Sequence, residues 1–201
     1  MLIWGWRTRF KTLMEGMFHC PGCGGDRHYA HKQARTWFTL FFLPVIPLKM
    51  LGEHVECQTC RKGYDLRVLS LPTSAALVEQ LAAATREALV WLLRIDGPPA
   101  ARHAAVGVLS RAAGAPWSEA ALDADLAQLD TAQLPARLRQ LGDVMSEHGK
   151  EQFLGSVAEV AAAGGMVGDD SRRALGDIAA GLGMTPAHAR GVIDQVTHPT
   201  R

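Results

Sequence analysis

Apolar and polar positions alternate along the first stretch of the chain. Trp4, Trp6 and Phe10 fall on one face of an extended strand, and Gly5, Arg7, Arg9 and Lys11 fall on the other. This pattern predicts a half-buried edge strand. Over 36–42 both faces are apolar, with Phe38, Leu40 and Phe42 set against Trp37 and Phe41, so this strand is expected to be covered on both sides. The run Pro44-Val45-Ile46-Pro47 is expected to end it, because each proline removes a backbone donor that a continuing central strand would need. Two further short strands, around 53–56 and 64–69, complete a small antiparallel sheet.

After Pro72 the apolar spacing changes to a period near that of a helix. Leu77, Leu81, Ala84, Ala88 and Leu92 form one stripe, and Val78, Leu89 and Leu93 a second, so the first helix is expected to be touched on two sides. Thr73 or Ser74 is its N-cap, and Gly97-Pro98-Pro99 stops it. Six more helices follow over 99–113, 118–128, 135–148, 150–163, 170–182 and 186–196. Ser118 and Asp170 suit N-caps, Thr185-Pro186 places a cap before a first-turn proline, and Gly114, Gly149 and Gly183 suit left-handed exits. Laying 97–122 over 165–191 brings Val106, Leu109 and Gly114 onto Leu175, Ile178 and Gly183, the mark of a duplicated helical unit.

The expected architecture is therefore α+β: a small antiparallel β module over 1–72, then an all-α bundle of about seven helices over 73–201. Charge supports the division. Up to Pro72 there are 10 basic and 5 acidic residues, and beyond it 11 basic and 15 acidic, in a chain of 201 residues with a net charge of +1. Aromatic residues follow the same line, 10 of 13 lying in the first 72 positions. No stretch reaches the ~18–20 apolar residues that a membrane-spanning helix needs. The opening residues carry no basic residue ahead of their short apolar run and no small-residue cleavage site, so they read as mature structure. The expected compartment is the cytoplasm, and peripheral association with a membrane stays open.

In that compartment four cysteines are better explained by a metal than by disulfides. Cys20-Pro21-Gly22-Cys23 and Cys57-Gln58-Thr59-Cys60 are two Cys-x2-Cys pairs with 33 residues between them. Two cysteines three positions apart across a tight turn can aim both sulfurs at one point. Two such knuckles supply the four tetrahedral thiolates, each at ~2.3 Å, that one structural Zn2+ prefers. Iron suits the same sulfurs and stays open. Zinc with four thiolates carries a formal charge of about −2, for which Arg27, Arg61, Lys62 or backbone donors are candidates. His19 and His54 stand near the cysteines but are read as packing groups, and His28 and His31 as solvent-facing. A redox role for Cys20-Pro21-Gly22-Cys23 lacks the βαβ setting of a thioredoxin-like motif.

The basic module, with Trp37, Phe38 and Phe41, also suggests a stacking surface for nucleic acid, but its aromatics form one apolar run and are read as core. In the helical part Asp96-Gly97 stands at a helix exit and Asp169-Asp170 at a helix entrance, where turn and capping preferences account for them. The small residues of 161–165 are read as packing. No Ser-His-Asp arrangement, P-loop or dinucleotide glycine pattern occurs.

Phe18-His19-Cys20-Pro21-x-Cys23, then Trp37-Phe38-Thr39-Leu40-Phe41-Phe42-x-Pro44-Val45-Ile46-Pro47, then Glu53-His54-Val55-Glu56-Cys57-x-x-Cys60, resembles a bacterial zinc-ribbon module. From Val157 to Ile193 the chain resembles helical domains of the tellurite-resistance TerB type, through Ala161-Ala162-Ala163-Gly164-Gly165, Arg173-Ala174-Leu175-x-x-Ile178-Ala179 and Leu182-Gly183-Met184-Thr185-Pro186. The resemblance implies a seven-helix bundle with internal pseudo-symmetry and a role in a stress or tellurite-resistance response. It also implies a second metal site of acidic residues at helix ends, for which Asp96, Asp169 and Asp170 are the candidates; Gly164-Gly165 stands where the second acidic turn would be. The functional expectation is a non-enzymatic zinc-binding scaffold with a protein partner. The alternatives are nucleic-acid binding through the ribbon and a metal sensor using the helical acids.

Overall fold

The structure is a computed structural model that describes residues 4–40 and 43–197. It divides into two compact units, Met1–Leu77 and Val78–Arg201. Unit 1 is an antiparallel sheet in the order β1-β2-β3-β4, made of β1 (Trp4–Cys20), β2 (Gly25–Leu40), β3 (Leu43–Cys57) and β4 (Gly63–Tyr64). Three of these strands are far longer than the alternation predicts.

The prolines do not end a strand. Pro44 and Pro47 lie inside β3, which runs on to Cys57. They are tolerated because β3 has β2 on one side and, over most of its length, no strand among the described residues on the other; β4 pairs only at Val55 and Glu56. The pairing of β3 with β2 shifts three times between Ala34 and Thr39, and each shift places an extra residue in β3. Such bulges, like prolines, blunt an open edge. The expected strand over 64–69 is also replaced, since residues Leu66–Ser70 form a 3-10 turn started by the Asp65 carboxylate, which accepts from the Arg67 N–H at 2.9 Å.

A further irregularity decides where the core of this unit lies. Leu13 is an extra residue in β1, between the pairs Thr12↔Lys32 and Met14↔His31. It reverses the alternation, so that Phe18 and Cys20 join Tyr29, Val55 and Cys57 on one face and form a buried cluster. Phe18 packs edge-on against Tyr29, with ring centroids 5.6 Å apart. Beyond the bulge the expected burial fails. Trp6 is 63% exposed, Phe10 is exposed as well, and Trp37 and Phe38 on the central strand are half-buried. Phe41 and Phe42, part of the expected apolar run, lie outside the described residues.

Unit 2 follows the helical pattern closely. The helices are α1 (Ser74–Ile95), α2 (Pro99–Ala113), α3 (Glu119–Gln128), α4 (Leu134–Val144), α5 (Glu147–Ala162), α6 (Asp169–Gly181) and α7 (Pro186–Thr197). Thr73, Ser118 and Thr185 cap N-termini by accepting from the N–H of Ala76, Ala121 and His188, and Gly114 and Gly183 leave helices with φ of 65° and 74°. Two boundaries differ. Gly149 does not end α4; Ser146 accepts from its N–H at 3.2 Å, so Gly149 sits in the first turn of α5. Asp170 is not a cap, because Gly168 holds that place and Asp169 opens the helix. Val78 of the expected second stripe is exposed, whereas Ala84, Ala88, Leu89 and Leu92 are buried.

The duplication extends further than the glycines suggest. At the same offset of 69, Ala84, Thr85, Ala88 and Leu89 of α1 fall on Phe153, Leu154, Val157 and Ala158 of α5, and all eight are buried. Ala105 and Leu109 of α2 likewise fall on Ala174 and Ile178 of α6, again all buried. Helices α1-α2-α3 thus recur in order as α5-α6-α7. Of the small residues at 161–165, Gly164 serves close packing, since a Cβ there would stand 2.5 Å from the Pro98 ring.

Candidate metal centre

The two cysteine pairs are built alike. In the first, the Cys20 carbonyl at the end of β1 accepts from the N–H of Cys23 at 3.2 Å and of Gly24 at 2.9 Å, and Gly24 turns left-handed with φ 65°. In the second, the Cys57 carbonyl at the end of β3 accepts from the Arg61 N–H at 2.9 Å, and Arg61 holds the same conformation with φ 61°. The Cys57 N–H donates to the Lys62 carbonyl at 3.0 Å, closing the second turn, and the Gln58 N–H donates to the His28 carbonyl at 2.9 Å, tying it to β2. On β2, Cys20 lies opposite Gly25 and Cys57 opposite Tyr29, so β3 ends four positions before β1, and the turn after Cys57, tied to β2 at His28, comes up against the first.

Their sulfurs converge. All four Sγ atoms lie within 4.8 Å of one another, and Cys20 and Cys60 are 3.8 Å apart. A regular tetrahedron of sulfurs at ~2.3 Å from a central ion has edges of about 3.8 Å, so the spacing fits an ion at the middle. None of the four is in a disulfide; Cys20 and Cys57 are buried, and Cys23 and Cys60 half-buried. Among the described residues, these cysteines are the group whose ligand atoms converge in this way. Four thiolates complete a tetrahedral sphere and leave no position for a substrate.

Tyr64 completes the site, and the periodicity of the sequence gives it no special place. Its hydroxyl lies 3.5 Å from Cys20 Sγ and 3.8 Å from Cys60 Sγ; it accepts from Cys20 while that sulfur is a thiol and donates to it as a thiolate. Burial opposes ionisation of Cys20, but the Tyr64 hydroxyl and the N–H groups of Cys23 and Gly22 outweigh it and hold the thiol at about 6. The Lys62 N–H holds Cys60 below its ordinary range. Burial and the neighbouring sulfurs push Cys23 up to about 12, and the same thiolates raise Tyr64 well above an ordinary phenol. This uneven set is what four crowded sulfurs do when they compete for protons, and a dication at their centre favours the thiolate form of all four. Gly22 makes room for Tyr64, since a Cβ there would collide with the Tyr64 hydroxyl.

The other residues near the site take different roles. Arg61 reaches toward Glu56 at 3.6 Å, and Arg27 donates to the Asp26 carbonyl at 2.7 Å, so the negative sulfurs are met by Tyr64 and main-chain N–H groups. Lys62 lays its stem against Gly22. His19 faces Asp26 at 3.5 Å, His54 stacks edge-on with Phe10, and His28 is exposed. His31 is not solvent-facing; it is half-buried and bonded to Glu53 at 2.8 Å. In unit 2, Asp96 follows the end of α1, with its carboxylate 3.7 Å from where a Cβ on Gly168 would stand, which places it near the start of α6. Asp169 and Asp170 lie in the first turn of α6, and Asp170 pairs with Arg173.

Comparison of the chain with protein-family models, with curated proteins and with solved structures finds no match.

Proposed function

We propose that the chain is a non-enzymatic interaction protein whose ribbon is folded around one structural Zn2+ held by Cys20, Cys23, Cys57 and Cys60. The observation that carries this reading is the convergence of four sulfurs at tetrahedral spacing, two of them buried. Such an ion supplies a fixed crosslink between two turns that are distant in sequence. The residues around it do the remaining work: Tyr64 and the main-chain donors orient and neutralise the sulfurs, and Phe18, Tyr29 and Val55 exclude water.

The helical unit is the partner-binding half in this reading, and the TerB-like resemblance suggests a stress response as its setting. Its recurring three-helix order agrees with the pseudo-symmetry that the resemblance implies.

Elemental analysis and metal-edge absorption of the full chain test the proposal. One zinc per chain with four sulfur neighbours near 2.3 Å is expected. Cobalt exchanged into the site should give a tetrahedral thiolate spectrum that azide or cyanide leaves unchanged. A spectrum that shifts with either anion would reveal an open coordination position and overturn the closed, structural role.

A further inference from the structure

The end of the sheet far from the cysteines is built for a different environment. Paired residues on neighbouring strands share a face, so Trp6, Phe38 and Ile46 form one apolar rung, and the adjoining rung on the opposite face holds Arg7, Trp37 and Pro47. Trp6 is 63% exposed, Val45 55% and Ile46 52%. Apolar groups therefore stand at both faces of the same end. A flat protein partner would cover one face, whereas a bilayer surrounds whatever enters it.

Charge is graded along the same axis. Residues 4–14, 33–40 and 43–52 contain Arg7, Arg9, Lys11, Arg35 and Lys49 and not one acidic side chain. Arg9, Arg35 and Met50 share a rung three residues in from Trp6, about 10 Å further from the end at ~3.4 Å per residue. An apolar end with tryptophans, followed by cations about one headgroup layer behind, is complementary to an anionic membrane surface. Aliphatic Val45, Ile46 and Leu48 have no stacking face to offer a nucleic-acid base.

Backbone chemistry limits the depth. Among the described residues β1 and most of β3 pair with a strand on one side only, and an open-edged sheet does not cross hydrocarbon, so entry stops at the interface, ~5–10 Å in. Pro44 and Pro47 remove two donors from the β3 strand at this end. No helix among the described residues is long and apolar enough to cross a membrane.

We propose that this end of the sheet docks on an anionic bilayer, with Val45, Ile46 and Trp6 entering the acyl boundary and Arg9, Arg35 and Lys49 meeting the headgroups. This goes beyond the interaction role proposed above for the helical unit, by adding a recognition surface on the ribbon. The cysteine site lies about 30 Å away, since Phe38 and Tyr29, the partner of Cys57, are nine positions apart on β2.

The test is co-sedimentation of the full-length, zinc-loaded chain with phosphatidylcholine vesicles, with and without phosphatidylserine. Binding should need phosphatidylserine and weaken as salt rises. V45D/I46D should lower partitioning about tenfold or more, and R9E/R35E should abolish the preference for anionic lipid. Zinc content, measured on each sample, should not change. Equal partitioning of V45D/I46D and the parent chain overturns the proposal. So does salt-sensitive binding to single-stranded RNA that R9E/R35E removes and V45D/I46D spares, or a dimer that V45D/I46D dissociates without any vesicle binding. A chain that holds zinc but ignores both vesicles overturns the docking and leaves the metal reading standing; vesicle binding by a chain without metal does the reverse.

Discussion

The two units of this chain reach a folded state by different means. In the ribbon the buried cluster consists of Phe18, Tyr29, Val55 and two cysteines, and much of the long sheet beyond it is exposed. In the helical unit Leu89, Leu92, Leu122, Leu141, Leu154, Leu175, Ile178 and Leu182 are all almost wholly buried. A core of the second kind gains stability from area removed from water, each large side chain contributing about 1.5–3 kcal/mol. A core of the first kind is too small to offset the ordering of three strands of fifteen or more residues. On the proposed reading a metal centre supplies the difference, because an ion that binds only the folded ribbon contributes its binding energy to folding.

The largest expected effect breaks that contrast directly. Cys57→Ser removes one of four ligands from a buried position, and structural zinc sites of this kind bind with an apparent ~10–16 kcal/mol. We expect the ribbon to unfold while the helical unit stays folded. Two-dimensional NMR of the full chain measures both at once: signals of β1 to β3 should collapse to random-coil positions, and those of α5 to α7 should not move. Acid should act in the same direction, since zinc is released as the thiolates take up protons. Ribbon signals unchanged in the variant would show that the sheet stands without its metal.

The complementary experiment sharpens the contrast from the other side. Leu154 is fully buried in α5, and Leu154→Ala should cost about 2–5 kcal/mol from lost burial and the cavity left behind. Denaturant unfolding followed by helical circular dichroism reads the loss. Zinc content and zinc affinity should stay at the parent value. A parallel fall in zinc affinity would mean that the two units stabilise each other and that the contrast is false.

The contrast also explains which parts of the structure were legible in the sequence. Helices announce themselves through local rules, so Thr73, Ser118, Thr185, Gly114 and Gly183 mark ends where periodicity begins or stops. The rule misled at Gly149, because Ser146 three residues earlier competes for the same turn and wins by capping it. The four cysteines were legible because ligand spacing is itself a local signal. Ribbon strands were not. Whether a proline ends a strand depends on whether the strand is at an edge, and the open edge of β3 is a property of the sheet rather than of residues 43–47. The reversal at Leu13 escapes for the same reason, since a bulge shows only against a partner strand. Tyr64 was hidden because its role depends on two sulfurs, one of them 44 positions away.

The smallest effect tests whether the two cysteine turns are equivalent in energy as well as in shape. Both place the residue after the second cysteine in the left-handed region, where glycine is unstrained and an L side chain costs about 1–2 kcal/mol. The first turn has Gly24 there, and a Cβ added to it would meet nothing within 4 Å. Gly24→Ala should therefore destabilise the zinc-loaded ribbon by about 1 kcal/mol through backbone conformation alone. The second turn already bears the strain at Arg61. Its contact with Glu56 is long, at 3.6 Å, and the guanidinium is largely exposed, so losing it costs little. Arg61→Gly should stabilise the ribbon by less than about 1 kcal/mol, because relief of strain is partly offset by the greater freedom of glycine in the unfolded chain. Thermal unfolding of both variants with zinc bound measures the pair. Opposite signs are expected; if Arg61→Gly destabilises as Gly24→Ala does, the arginine side chain contributes more to the metal turn than its exposed position indicates.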